Sequence, residues 1–396
     1  MILRLIPCRP WASTTIVRRC ASLSAVDSKE AVSGRRFASE YMHWAKTCSR
    51  ARFNLATSGV PGYPLAELGV GIGELEINGP GGYGYRPLLE AIGREYGVPT
   101  ECVVVGGGTS GANQYAFSLM LGPGDEALVE FPAYDIFPNL ARFTGARVTR
   151  FVRRKENGWA VDPDEIARLM TPATKLVVLT NLHNPTGALV GEDVLRRVGE
   201  IAAAHGAYVL VDEVYLDCVW DQRPRSAFHL GPNFIVTSSL TKVYGLSGLR
   251  CGWIFASLEI CERLWRLIDL FDNIPSHPSE LLSVAAFGKL GEIRARSQEL
   301  IEGNRAAYRA FAERHGWAVP EYGTTAFPRV IRGKTAGSTA ELCAGLCVVL
   351  RDEYETTVVP GEFFGMPEHV RISLVSPPEM LREGLGRMEQ ALLRAT

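Results

Sequence analysis

The chain of 396 residues has no apolar run near the roughly 18 to 20 residues that a membrane-spanning helix requires. It also lacks a basic excess. Its 42 Lys and Arg stand against 43 Asp and Glu, for a formal net charge of −1, so no nucleic-acid or membrane partner is expected. Nine cysteines are present, but none forms a CxxC pair. Cys343 and Cys347 have no histidine nearby at zinc-ligand spacing, so no metal site is expected and the thiols read as reduced ones of an intracellular protein. Internal repeats and low-complexity tracts are missing as well. Acidic residues are missing from the first 26 positions, where Arg4, Arg9, Arg18 and Arg19 stand among several Ser and Thr. Residues 1–30 therefore read as an organelle transit peptide or a disordered arm, which leaves cytoplasm or mitochondrial matrix as the expected location.

What is there is ordinary globular composition, 46% hydrophobic and 21% charged, enough for one large domain and a smaller one. From about residue 100 one rhythm recurs: a short β-branched run, a Gly-bearing turn and a helical stretch. The runs are "CVVV" (102–105), "EALVE" (126–130), "KLVVLT" (175–180), "AYVLVDEV" (207–214), "NFIVTSSL" (233–240) and "GWIFA" (252–256). Most are continuously apolar, as strands covered by helices on both faces should be. This is an α/β chain with a mainly parallel sheet flanked by helices. After about residue 285 a long amphipathic helical stretch and short strand candidates at "TAFPRVI" and "HVRISLV" suit a smaller α+β domain. The expected division is 31–60 as an N-terminal segment joining the small domain, 61–285 as the large domain and 286–396 as the small one.

Four stretches end predicted strands, where parallel sheets place their ligands. In "VVVGGGTSGANQ" a strand runs through Gly106, Gly107 and Gly108 to Thr109, Ser110 and a helix, a phosphate cup of backbone N–H groups and hydroxyls. In "TNLHNPTG", Asn184 precedes Pro185 and Gly187, which is also plain turn chemistry. In "VLVDEVY", Asp212 closes an apolar run with Tyr215 three positions on; a carboxylate there needs a cationic partner. In "SSLTKVYGLSGLRCGW", Ser239, Lys242 and Arg250 stand among Gly245, Gly248 and Gly252. A lysine amine that condenses with an aldehyde, an aspartate for a pyridine nitrogen, and arginine plus hydroxyls for a phosphate are the parts of a pyridoxal 5′-phosphate site.

"NPTG", "VDEVY" and "SxTKxxGLxGLRxGW", in this order and at these separations, resemble the class I/II aminotransferases of fold type I over roughly residues 55–380. The resemblance implies that Lys242 holds the cofactor as an internal aldimine and shuttles the proton, and that Asp212 keeps the pyridine nitrogen protonated. Asn184 and Tyr215 would bond the phenolic oxygen; the Gly108 backbone, Thr109, Ser110, Ser239 and Arg250 would hold the phosphate. "FPAYDIFP" puts Tyr134 at the stacking aromatic, and "HVRISL" puts Arg371 at the residue gripping the substrate α-carboxylate, with Asn184 and Gly59 on the substrate side. A homodimer follows from the same resemblance, as do an α-amino acid and a 2-oxo acid as substrates.

Some positions depart from the pattern. The family's cross-subunit tyrosine falls on Gly79, with Tyr83 and Tyr85 out of register, and Ser276 matches loosely a second cross-subunit position. His183 reads as a solvated loop histidine, with a substrate-side role as the alternative. Arg223, Arg225 and Arg329 stand open as partners for a second substrate carboxylate. The departure at Gly79 and the entry segment "SGVPGYPLAEL" keep elimination, replacement or cyclisation on an amino acid as the alternative reaction, because all share the same cofactor chemistry.

Overall fold

The computed structural model describes residues 37–330 and 336–394, and residues 1–30 lie outside them. The described chain begins with the helix Glu40–Thr47 and the two-residue strand β1, Phe53–Asn54. A seven-stranded sheet follows: β2 (Val103–Gly107), β3 (Glu126–Phe131), β4 (Arg147–Val152), β5 (Thr174–Thr180), β6 (Tyr208–Asp212), β7 (Phe234–Ser239) and β8 (Cys251–Phe255). Its order is β2-β8-β7-β6-β5-β3-β4. Only β8 runs against its neighbours, pairing antiparallel with β2 and with β7.

The apolar runs are continuous because both faces of the sheet are buried. Val177 and Leu179 of β5 enter one core cluster with Val209, Val211 and Trp253, whereas Leu176 and Val178 enter another with Leu210, Ile235 and Ile254. Period-2 alternation therefore divides one strand between two cores. The strand of this sheet missing from the sequence reading is β4. "RVTRFV" is exposed or half-buried at every position but Phe151 and lies at the sheet edge.

The C-terminal part packs three short strands, β9 (Thr325–Ala326), β11 (Val359–Pro360) and β12 (Val370–Ser373), with β12 central and antiparallel to both. β10 (Thr356–Thr357) pairs in parallel with β1, which ties the N-terminal segment to this unit. Its core holds Leu55, Tyr308, Phe311, Leu350, Ile372, Leu381 and Met388. Gly384 is required there, since a Cβ on it would come within 2.8 Å of Leu55. Two consequences matter for the site. The tips of β2, β5, β6 and β7 open on one edge of the large sheet, and β12 faces that edge.

Candidate active site

The turn after β2 is built on close backbone approach. Gly108 has φ +71° and donates its N–H to the Arg250 carbonyl at 2.7 Å. A Cβ on Gly108 would meet Arg250 Nη2 at 2.4 Å, and one on Gly252 would meet the Gly108 carbonyl carbon at 2.2 Å. No side chain fits at either position. The helix Gly108–Met120 starts here, so its first N–H groups lack intrahelical partners and face the same place. Thr109 Oγ1 donates to Ser239 Oγ at 2.7 Å, joining the tips of β2 and β7. Arg250 is exposed, with Nη2 donating to the Gly107 carbonyl at 2.8 Å and Nη1 to the Ser247 carbonyl at 3.2 Å.

Asp212 ends β6 with only 4% of its surface exposed. Its carboxylate accepts from Asn113 Nδ2 at 2.9 Å and from the Val214 N–H at 3.0 Å. Asn113 is oriented in turn by Thr237, whose hydroxyl donates to Asn113 Oδ1 at 2.7 Å. Burial raises the Asp212 carboxyl to about 6 despite these donors. Among the described residues it has no ion-pair partner. Lys242 follows β7, half-buried, and its Nζ donates to Ser58 Oγ at 3.1 Å. Burial lowers the Lys242 amine below the usual lysine range; Tyr41 and Asp212 oppose that shift and Arg371 and Arg250 add to it. Gly59 packs its backbone beside the Lys242 stem, where a Cβ would lie 3.5 Å from Cδ.

Arg371 on β12 is 1% exposed and pairs with no carboxylate among the described residues. Nη1 donates to Asn184 Oδ1 at 3.1 Å and Nη2 to the Tyr41 hydroxyl at 2.5 Å, while Nε is buried without a hydrogen-bond partner. Tyr134 stands edge-on to Tyr41, with ring centroids 5.6 Å apart. Tyr215 is buried, and its phenol is pushed up by that burial, with Arg371 and Ser58 pulling it back.

One cavity of about 690 Å³ unites these groups. Gly59, Thr109, Ser110, Tyr134, Asn184, Asp212, Tyr215, Lys242, Arg250 and Arg371 all line it; Gly108 and Ser239 do not, but Gly108 precedes Thr109 in the chain and Ser239 is hydrogen-bonded to it. The sequence reading missed Tyr41, Ser58, Asn113 and Thr180, which line the same cavity. Only Asn113 carried a signal: it lies one helical turn after Thr109, on the same face. Arg223, Arg225 and Arg329 do not line it. Arg223 pairs with Glu95 at 2.8 Å, and Arg329 with Glu368 at 3.7 Å. His183 is not a solvated loop residue. It is buried, with Nδ1 at 2.6 Å from Thr186 Oγ1 and Nε2 at 2.9 Å from the Pro132 carbonyl, and burial holds it neutral. Gly79 is closed to any side chain by the His277 ring, 2.8 Å from where its Cβ would be.

The donor set fits pyridoxal 5′-phosphate. A buried carboxylate without a cation, a buried guanidinium without an anion, a desolvated amine and a glycine-walled cup of N–H and hydroxyl donors border one cavity. Such a sheet and site define a fold type I pyridoxal-phosphate enzyme. Residues 82–388 match the model of the family described as aminotransferase class I and II. An aspartate aminotransferase of Streptomyces avermitilis is 29% identical over 318 residues, 76% of this chain and 76% of that protein. A capreomycidine synthase of Streptomyces vinaceus is 29% identical over 362 residues, 87% of this chain and 90% of that protein. The crystal structure of a PLP-dependent aminotransferase from Streptococcus suis superimposes with a TM-score of 0.82 at 25% identity, covering 90% of this chain and 97% of that one. The chain belongs to the class I and II aminotransferase family and is a pyridoxal-phosphate-dependent enzyme that acts on amino acids.

Proposed function

We propose that the 690 Å³ cavity is the transamination site, in which an α-amino acid gives its amino group to a 2-oxo acid. The observation that carries this reading is that two buried groups of opposite charge without ion-pair partners, Asp212 and Arg371, line the same cavity as the Lys242 amine. Bound pyridoxal phosphate supplies an electron sink for the pair left when a bond to the substrate Cα breaks. The chain's own groups do the rest. The N–H groups that follow Gly108 at the start of its helix, with Thr109, Ser110, Ser239 and Arg250, would hold the phosphate, Arg250 through a charge-assisted pair. Asp212, its carboxylate fixed by Asn113 and the Val214 N–H, would hold the proton on the ring nitrogen. Asn184 and Tyr215 would bond the phenolic oxygen, and Tyr134 would stack on the ring. Lys242 would carry the cofactor and move the proton at Cα. Arg371, with Asn184 and Gly59 beside it, orients the substrate carboxylate.

We also infer a homodimer. Leu65, Ile72, Ile77, Leu270, Phe271 and Ile274 are exposed, Ile72 by 92%, on two chain segments that meet where Ile77 and Ile274 line a second cavity. Apolar surface gathered in this way marks a protein interface, and a twofold contact is the commonest solution. No helix among the described residues is long and apolar enough to cross a membrane. The Streptomyces and Streptococcus relatives favour the cytoplasm over a mitochondrial address.

The capreomycidine synthase, which covers more of this chain than the aspartate aminotransferase does, fits the second reading, elimination, replacement or cyclisation on an amino acid. A panel of amino acids with 2-oxo acid acceptors separates the two. Amino transfer predicts new 2-oxo acid in step with loss of the acceptor and no free ammonia. Ammonia or a cyclised product without acceptor consumption would replace it with the second reading.

A further inference from the structure

Tyr41 lies outside every motif of the family resemblance, yet it touches the residue that reads as the carboxylate grip. Its hydroxyl accepts from Arg371 Nη2 at 2.5 Å, and the guanidinium carbon lies 5.1 Å from its ring centroid. A phenol that accepts from a guanidinium still has its own proton to give. Among the described residues no acceptor takes that proton, and Tyr41 lines the cavity. The ring is held from three sides, by Tyr134 at 5.6 Å, Phe363 at 5.8 Å and Trp44 at 6.4 Å between centroids.

The helix Glu40–Thr47 that carries it is clasped to the segment bearing Tyr134. Ser39 Oγ donates to the two Asp135 carboxylate oxygens at 2.8 and 2.9 Å, and the Tyr41 N–H donates to Asp135 Oδ2 at 3.2 Å. Ser39 Oγ also caps the helix by accepting from the Met42 N–H at 3.1 Å. The phenol is thus positioned by a capped helix and an aromatic cage, and its hydroxyl stays at the guanidinium edge.

We propose that Tyr41 is a substrate-binding residue: its hydroxyl, polarised by Arg371, donates to the same α-carboxylate that Arg371 grips. This rests on the reading of Arg371 given above. A carboxylate has about four lone-pair sites, so it accepts the arginine fork and the phenol together. The N-terminal helix thereby becomes part of the substrate site, and Met42 and Ala45 of that helix, which also line the cavity, are placed beside the substrate.

Tyr41→Phe tests this, because it keeps the ring packing and removes only the hydroxyl. With cofactor bound, wild type, Tyr41→Phe and Arg371→Ala are titrated calorimetrically with succinate and with 3-phenylpropionate, acids that carry no amino group. Steady-state constants are measured with the best amino acid of the panel and with its decarboxylated amine. Tyr41→Phe should weaken acid binding and raise KM about tenfold, the size of one hydrogen bond to a charged group, with kcat and amine turnover unchanged. Its cofactor absorbance should match wild type. Unchanged acid binding and KM in Tyr41→Phe, with both lost in Arg371→Ala, would overturn the role of Tyr41 alone. Equal losses for acid and amine would also overturn it, as a packing effect. Acid binding that survives Arg371→Ala, or is missing from wild type, would remove the carboxylate site itself and this inference with it.

Discussion

Asn184 Oδ1 accepts a hydrogen bond from Arg371 Nη1 across 187 positions of sequence. Asn184 sits in the loop after β5 of the large sheet, and Arg371 sits on β12 of the C-terminal unit. The two units therefore meet at a side-chain pair inside the cavity. The Arg371 guanidinium takes its place from Asn184, Tyr41 and the Ala56 carbonyl, not from a carboxylate. A buried cation arranged in this way is costly unless an anion joins it, and in the function proposed above the substrate carboxylate is that anion.

Lys242 gives the first prediction. Purified enzyme should be yellow, and borohydride should fix the cofactor to the peptide containing Lys242. Lys242→Ala should keep cofactor through the phosphate donors and lose turnover. Label recovered on Lys175, which bonds the Pro172 carbonyl away from the cavity, would refute the assignment.

Asp212 gives a dependence on pH whose sign can be worked out. In cofactor-free protein, burial raises its carboxyl from 3.8 to about 6, so the fold favours the protonated form. The associated stability is fully present below about pH 4 and is lost as pH rises through 6, by roughly 3 kcal/mol. Unfolding of cofactor-free Asp212→Asn should lack this loss between pH 4 and 6. With cofactor bound, the same variant should turn over slower by orders of magnitude, because the ring nitrogen no longer has an anion to hold its proton. Near-native turnover would assign Asp212 to structure only.

Much of this site was legible because its chemistry resides in rare residue types at strand tips. Asp212 and Ser239 end apolar runs that could only be buried strands, and parallel strands bring their carboxyl ends to one edge. Tyr41, Ser58 and Thr180 were not legible. Tyrosine, serine and threonine are common, and their relation to the site depends on how the N-terminal segment packs across the sheet edge. His183 misled for a similar reason: a loop residue by its neighbours, it is buried because Pro132 and Thr186 enclose it. β4 escaped notice because edge strands do not need the continuous apolar run used to find the others.

Glu130 is a further buried group that no motif announced. It accepts from the Thr180 N–H at 2.7 Å, from Thr180 Oγ1 at 2.6 Å and from Arg153 Nη1 at 2.8 Å, all fully buried. Thr180 Oγ1 in turn accepts from the Asn184 N–H at 3.0 Å, so the pair lies directly behind the Asn184 loop. Glu130→Ala should cost about 3–5 kcal/mol in denaturant unfolding, since it strands the Arg153 cation in the core. Glu130→Gln combined with Arg153→Met should recover most of that loss. A double variant as unstable as Glu130→Ala would show that the charges are not coupled.

Arg371 bears on substrate class as well as on the site. If every substrate carries a free α-carboxylate, Arg371→Ala should lower kcat/KM on the order of a hundredfold or more, the size of a fork of charge-assisted bonds in a water-poor cavity. Arg371→Lys should recover only part of this, because an ammonium cannot donate along two parallel directions and would leave Asn184 Oδ1 or the Tyr41 hydroxyl without its donor. Amines that lack the carboxylate should react poorly with wild type and be almost indifferent to either change. Kinetics with paired amino acids and amines across the three proteins measure this directly. A wild-type enzyme that prefers the amine would give Arg371 another task and replace the α-amino acid with an ω-amine as the substrate.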